Sequence, residues 1–376
     1  MLHLILETKL CLAACLYPAV HIERSSGADS FSFAGSMSEG RSSEIAILLS
    51  GPEGVMFIGG SNQISQADFF DAASGHFSIL SGLGPARSLE AATVLRSGLV
   101  LYAGGVSGTS LVATAATYDP HTEALNQVGP LATARVGGTA LRLVNGKVLI
   151  LGGADMSGAP IASAEVFNPD TLSFSSTGAL NIARTAPTIT LLTDGRVLVA
   201  GGSNPPTQTF NSAEIYDPQS GEFTFTGNMH YARADAAAVI LRSGRALIVG
   251  GSQWNNGVTA LSQSEIYDPK TGIFVDTGAM FAARFRSSAS VLKSGDVLVA
   301  AGQTDSGPLA SAEIYSVSSG LFRQTGSMLQ ARSSAAAMTL TSGRILISGG
   351  AGRTKILDTA EIYTPDEILA TGFELD

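Results

Sequence analysis

The stretch SAEIYDPQSGEF, Ser212 to Phe223, decides how this chain folds, because its pattern returns along almost the whole length. It recurs as ADFFDAASGHF from Ala67, AATYDPHTEAL from Ala115, AEVFNPDTLSF from Ala164, SEIYDPKTGIF from Ser264, AEIYSVSSGLF from Ala312 and AEIYTP from Ala360. A second recurring piece precedes each copy and is clearest in LLTDGRVLVAGG, Leu191 to Gly202. Its terminal glycine pairs stand at 59/60, 104/105, 152/153, 201/202, 250/251 and 349/350, and one copy, Ala301/Gly302, keeps only the second glycine. Successive second glycines lie 45, 48, 49, 49, 51 and 48 residues apart. A sevenfold repeat of this length is one supersecondary unit stacked on itself, which overrides the two or three domains that 376 residues would suggest.

Each unit reads as four short antiparallel strands. In the fourth, the first strand runs from about Pro187 to Leu192, Thr193-Asp194-Gly195-Arg196 turns, and the second strand runs from Val197 to Gly202. Asp-Gly is a strong hairpin signal. Ala213 to Tyr216 is the third strand, Asp217-Pro218-Gln219-Ser220-Gly221 the outer turn, and Glu222 to Thr226 the fourth strand. Such a sheet cannot bury its own faces, and radial stacking meets that need while leaving only short edges. Runs of small residues in the first strands, Ala236-Ala237-Ala238 and Ser333-Ser334-Ala335-Ala336-Ala337, suit strands converging on a crowded axis. The reading is an all-β, seven-bladed β-propeller of four-stranded antiparallel blades, with residues 31–376 forming one propeller and residues 1–30 a tail or leader. The ring is expected to be closed by a terminal strand, either Phe31-Ser32-Phe33-Ala34-Gly35 or Ile368-Leu369-Ala370-Thr371-Gly372.

Composition narrows the partners. Charged residues are 14% of the chain, against about 25% in an average soluble domain, and 43 residues are glycine. Net charge is -9 and only five residues are lysine, so no basic stripe exists to neutralise nucleic-acid phosphates. The N-terminus, MLHLILETKLCLAACLYPAV, is apolar but interrupted by Glu7 and Lys9, and is too short to span a membrane. Leu12-Ala13-Ala14-Cys15 resembles a bacterial lipobox, which implies a lipid anchor at Cys15 and an extracytoplasmic location, secreted, periplasmic or at the surface; the plain alternative is an unstructured tail.

The paired glycines, the Tyr-Asp-Pro turn and the arginine after each fourth strand resemble the kelch repeat, in the form seen in bacterial kelch proteins and in the central domain of galactose oxidase. The resemblance covers about Phe31 to Pro365. Eukaryotic kelch repeats carry a tryptophan where this sequence has Phe77, Phe174, Phe223, Phe274 or Phe322. It implies a kelch propeller and leaves the chemistry open, since such propellers serve as binding platforms, oxidases and sugar isomerases. Galactose oxidase-like enzymes hold copper with two histidines and two tyrosines, one cross-linked to cysteine. Here the only cysteines are Cys11 and Cys15, and the histidines are scattered at positions 3, 21, 76, 121 and 230, so neither a metal cluster nor a cofactor is expected.

One arginine per repeat, Arg41, Arg87, Arg135, Arg184, Arg233, Arg284 and Arg332, precedes the first strand, and Asp68, Glu165, Glu214, Glu265, Glu313 and Glu361 recur in the third. What every blade repeats serves the blade, so these read as structural ion pairs. Function is expected in the departures, on the face formed by the loops after the second and fourth strands. The longest of these, Ser252 to Gln263, carries the only tryptophan, Trp254, beside Asn255 and Asn256, a composition suited to stacking on a sugar and bonding its hydroxyls. Neighbouring segments add His230, Tyr231 and Asp235, and then Arg286. The sequence therefore predicts a non-catalytic binding or interaction module for carbohydrate or protein through these seven residues. The alternative is a sugar-acting oxidase, isomerase or hydrolase at the channel mouth, with His230 and Asp235 as acid and base. The plain reading is that Trp254 covers its own loop and Asp235 pairs with Arg286.

Overall fold

The structure is a computed structural model that describes residues 29–49, 53–205, 208–254 and 257–366. Seven four-stranded antiparallel sheets succeed one another along the chain. The fourth blade has strands Thr188–Leu191, Val197–Ala200, Ala213–Asp217 and Glu222–Phe225, within one or two residues of the expected bounds. Its first turn is not the two-residue hairpin that Asp-Gly suggests. Gly195 alone takes positive φ (88°) and donates its N–H to the Leu192 carbonyl at 3.0 Å, a three-residue loop with a glycine bulge.

The repeated Tyr-Asp-Pro can now be read atom by atom. Tyr216 is buried, its ring 4.8 Å from that of Phe223 on the fourth strand, and its hydroxyl meets Thr177 Oγ1 of the preceding blade at 2.9 Å. Tyr267, Tyr315 and Tyr363 reach Thr226, Thr277 and Thr325 in the same way. Asp217 accepts the Gln219 N–H at 2.8 Å, which caps the outer turn, and Gly221 closes it at φ 77°. Phe223, Phe274 and Phe322, which stand in place of tryptophan, thus pack inside the blade against the tyrosine that bonds the neighbour, while Phe77 and Phe174 pack on Phe70 and Phe167.

Seven separate hydrophobic clusters form the core, each shared by two adjacent blades. In one, Leu198 and Ile215 of the fourth blade pack with Ile248 and Tyr267 of the fifth. No blade has a core of its own, so the ring must close for every face to be buried. The N-terminal strand closes it: Ser30–Ser36 pairs antiparallel with Thr359–Thr364 and is the outer strand of the seventh blade. Asp29 anchors the junction, accepting from the Tyr363 hydroxyl at 2.7 Å and pairing with Arg323 at 3.0 Å. The rival stretch 368–372 lies outside the described residues.

The arginines and acids do pair. Arg41–Asp68, Arg135–Glu165, Arg184–Glu214, Arg233–Glu265, Arg284–Glu313 and Arg332–Glu361 meet at 2.6–3.3 Å with both side chains buried. Each arginine also donates to the backbone where the second strand ends and the third begins; Arg184 Nη1 reaches the Gly201 carbonyl at 2.6 Å and the Ser212 carbonyl at 2.9 Å. Each glutamate accepts two backbone N–H groups from the segment entering its blade, as Glu214 does from Asn181 and Ile182 at 2.7 and 3.2 Å. Except at Gly152, the first glycine of each pair is pressed by the next blade: a Cβ on Gly201 would lie 2.2 Å from the Arg233 carbonyl oxygen. The second is pressed from within, since a Cβ on Gly202 would lie 2.8 Å from the Thr185 carbonyl. In the sixth blade Ala301 takes the first place at φ 60°, and the second strand runs straight on from Val297 to Thr304.

Removing a buried arginine strands its carboxylate, so Arg184→Ala should lower unfolding free energy in urea by roughly 3 to 5 kcal/mol. Arg196→Ala, which breaks a half-exposed pair with Asp194, should cost only about 0 to 1 kcal/mol. Equal effects would show that burial of the repeated pair is not what makes it matter.

Candidate functional site

Two residues beyond each repeated arginine the backbone turns left-handed. Ser43, Leu89, Gly137, Ala186, Asp235, Arg286 and Ser334 all have φ between 48° and 66°. Six of the seven are not glycine, a conformation that survives only when its surroundings impose it. Neighbouring blades do so. Ser334 donates its N–H to the Arg286 carbonyl (3.0 Å), Arg286 to Asp235 (2.9 Å), Asp235 to Ala186 (3.1 Å), Ser43 to Ser334 (2.9 Å) and Gly137 to Leu89 (2.9 Å). This backbone hoop rims an axial cavity of about 820 Å³ at one face of the disc. Its side chains are small or apolar except in two adjacent blades, which carry Asp235 and Arg286.

Those two residues separate the axial cavity from a second pocket of about 340 Å³, which Trp254 and Val258 wall on its outer side. The segment read as the longest loop is a two-stranded ribbon, Ser252–Trp254 paired with Val258–Ala260. It is braced on both flanks: the Trp254 N–H donates to Thr209 Oγ1 and the Ala260 N–H to Asp305 Oδ1, each at 2.9 Å. Trp254 therefore does more than cover its own loop. It is 37% exposed and faces the pocket that Asp235, Phe285, Arg286, Gln303 and Asp305 complete. Asp235 does pair with Arg286, Oδ1 to Nε at 3.4 Å. Asn255 and Asn256 lie outside the described residues.

His230 and Tyr231 stand apart from this group. Their backbone N–H groups are held by Glu265, and the His230 Nδ1 meets Asp276 at 2.8 Å on the exposed rim. The hydrogen bond to Asp276 raises the imidazole pKa above its ordinary value. Tyr231 packs near Arg233, whose guanidinium carbon is 5.8 Å from the ring centre. The acid–base pair of His230 and Asp235 is thus not formed, because each has another partner. His230, Glu265 and Asp276 bring ligand atoms within 4.8 Å of one another, but Glu265 already accepts from Arg233 and two backbone N–H groups.

The sequence reading overlooked two further carboxylates. Glu44 and Glu90 occupy the position three beyond the arginine, where the other blades have Gly138, Pro187, Ala236, Ser287 and Ala335. Each is buried against the first glycine of the preceding blade, Glu44 on Gly349 and Glu90 on Gly59, and each has one oxygen, Oε2, without a hydrogen bond. Burial pushes both carboxyls up to about 7, only partly offset by the charge of Arg41 and, for Glu90, Arg87. Glu44 lines the axial cavity. Aligning the repeats at this position would have exposed both residues.

Residues 191–230 match the kelch motif, and this segment spans one blade, from the end of a first strand to the segment beyond the fourth. Among solved structures, a fungal alcohol oxidase of the AA5 family, described in complex with copper, is similar with a TM-score of 0.73. The likeness covers 85% of this chain and 73% of the oxidase at 16% identity, which speaks to the fold alone. In all, 1057 solved chains match, so the fold does not single out an activity. No curated protein matches. The class defined by these features is a seven-bladed β-propeller, one blade of which matches the kelch motif. Among the described residues, those that line its two cavities at the axial mouth include no histidine, cysteine or tyrosine, a donor set that does not fit copper of the oxidase kind.

The raised carboxyls make stability pH-dependent with a definite sign. In the unfolded chain Glu44 and Glu90 ionise near 4.5, in the folded protein near 7, so their contribution is undiminished below 4.5 and is lost as pH rises towards 7. The double variant Glu44→Gln/Glu90→Gln should match the wild type below pH 4.5 and exceed it increasingly as pH rises towards 7, by on the order of 1 to 3 kcal/mol per site above neutrality. Parallel melting curves across that range would contradict buried, protonated carboxyls.

Proposed function

We propose that this protein is a non-catalytic binding module whose ligand is a saccharide, seated in the Trp254 pocket beside the axial mouth. The observation that carries this reading is the convergence of the two charged residues in the hoop with the one tryptophan of the chain, which its ribbon holds at a pocket the size of a sugar ring. Gln303, Thr304 and Ser252 supply neutral hydrogen-bonding groups on the same wall. A protein partner on this face is less favoured, since the pocket is concave and polar side chains make up most of its lining.

A second reading, a sugar-acting enzyme at the channel mouth, draws on Glu44, a carboxyl with a pKa near 7 on the axial cavity and hence suited to acid–base work. Turnover of a bound glycan that disappears in Glu44→Gln would replace the first reading with this one. We place the protein outside the cytoplasm on the strength of Leu12 to Cys15. Intact-mass spectrometry of protein from a bacterial envelope should show a lipid adduct on Cys15; an unmodified cysteine would remove that proposal.

On a glycan array the wild type is expected to give defined signals, and Trp254→Ala to lose them by at least about tenfold, the loss of one stacking contact. Signals unchanged in Trp254→Ala, or none from the wild type, would overturn the saccharide reading.

A further inference from the structure

We propose that the sugar recognised in the Trp254 pocket is a protonated amino sugar of the glucosamine kind, an inference that rests on the saccharide reading above. The argument is one of charge accounting in a site that is already in place. The single cation of the pocket, Arg286, is engaged: its Nε pairs with Asp235 at 3.4 Å, and its guanidinium carbon lies 5.8 Å from the centre of the Phe285 ring. The remaining acid is not neutralised. Asp305 is exposed, spends one oxygen on the Ala260 N–H at 2.9 Å, and forms no ion pair among the described residues. A carboxylate and a tryptophan lining one small pocket are the two elements that together recognise an ammonium group, through Coulomb attraction and cation–π contact.

The adjoining space adds no further cation. The axial cavity shares Asp235, Arg286 and Gln303 with the pocket and adds Glu44, buried, with Oε2 unpartnered. An acidic sugar would meet the unpaired Asp305 carboxylate and would have to open the Arg286–Asp235 pair to reach the one cation. A cationic sugar needs no such rearrangement. Its ammonium group would sit between Trp254 and Asp305, and its hydroxyls would face Gln303, Thr304 and Ser252. The bracing of the ribbon favours this, since the Trp254 backbone is tied to Thr209 and the Ala260 N–H to Asp305 itself before any ligand arrives. A net charge of -9 favours approach of a cation over the whole surface.

The test is calorimetric titration of the full chain with three oligosaccharides of equal length: a β-1,4-linked glucosamine oligomer, its fully N-acetylated counterpart and a glucose oligomer. Titrations are run in mildly acidic buffer, where the amine is protonated, and again in base. A lysine-rich peptide is the fourth titrant. Asp305→Asn keeps an acceptor for the Ala260 N–H while removing the charge, and its melting temperature reports whether the ribbon is retained. The expected result is binding of the glucosamine oligomer at least about tenfold tighter than of the other two sugars, a preference that fades in base, in salt and in Asp305→Asn, and binding that is lost in Trp254→Ala. Equal or tighter binding of the acetylated or glucose oligomer, still dependent on Trp254, would overturn the amino-sugar inference and leave the saccharide reading standing. Binding of none of the sugars would overturn both, and binding of the peptide alone would replace both with a protein partner.

Discussion

A buried arginine gripping a carboxylate is the contact on which the rest of this propeller depends. In six blades it ties the segment entering the blade to the hairpin made by the end of the second strand and the start of the third. The glutamate takes up the N–H groups of the first, and the arginine takes up the carbonyls of the other two. Neither charge alone would be tolerated at that depth. The second blade shows the logic by exception. Its entering segment has Pro85, which offers no N–H, and its third strand has Ala116 where the others have an acid. Arg87 keeps the carbonyls of Gly104 and Thr114, and its guanidinium lies 5.0 Å from the ring of Tyr102, the residue that pairs across from Ala116.

Because the clamp consumes most of the charge near the axis, what remains there is informative. The hoop of left-handed residues is common to all seven blades and so belongs to the architecture, but its side chains are free to vary. Two of them are charged, in neighbouring blades, and the ribbon that brings Trp254 rises from the same sector. Glu44 and Glu90 mark another departure, at the seams between the seventh, first and second blades, where a carboxyl is wedged against a glycine. The stability those buried acids forgo is the sort of cost that persists at functional positions. In both places the repeat supplies a rigid frame, and the chemistry lies in the residues that break it.

How far the sequence could be read follows from the range of the interactions. Strands, outer turns and the arginine–acid pairs were legible because each lies within one repeat and recurs in the others. The hoop was not legible, since its left-handed φ values are imposed by carbonyls of neighbouring blades, and Leu89 or Arg286 gives no local sign of such a backbone. The ribbon was taken for a loop because its strands are only three residues long. Asp305 was missed because its partner, Ala260, belongs to another blade, and Asp276 because its partner, His230, lies far back in the segment that enters the blade. Ring closure was left between two candidate strands, and the decision rests on Asp29, which reaches Tyr363 and Arg323 across almost the whole chain length.

Native-state hydrogen exchange at the entering segments tests the clamp most directly. The amides of Asn181, Ile182, Phe281 and Ala282, each bonded to a buried glutamate, should exchange only on global unfolding, although they lie in connecting segments near the surface. Gly84, in the one blade without an acid, should exchange far faster. If all these amides exchanged alike at loop-like rates, the arginine–carboxylate contact would be a passenger in the fold, and the reading of function as departure from it would lose its foundation.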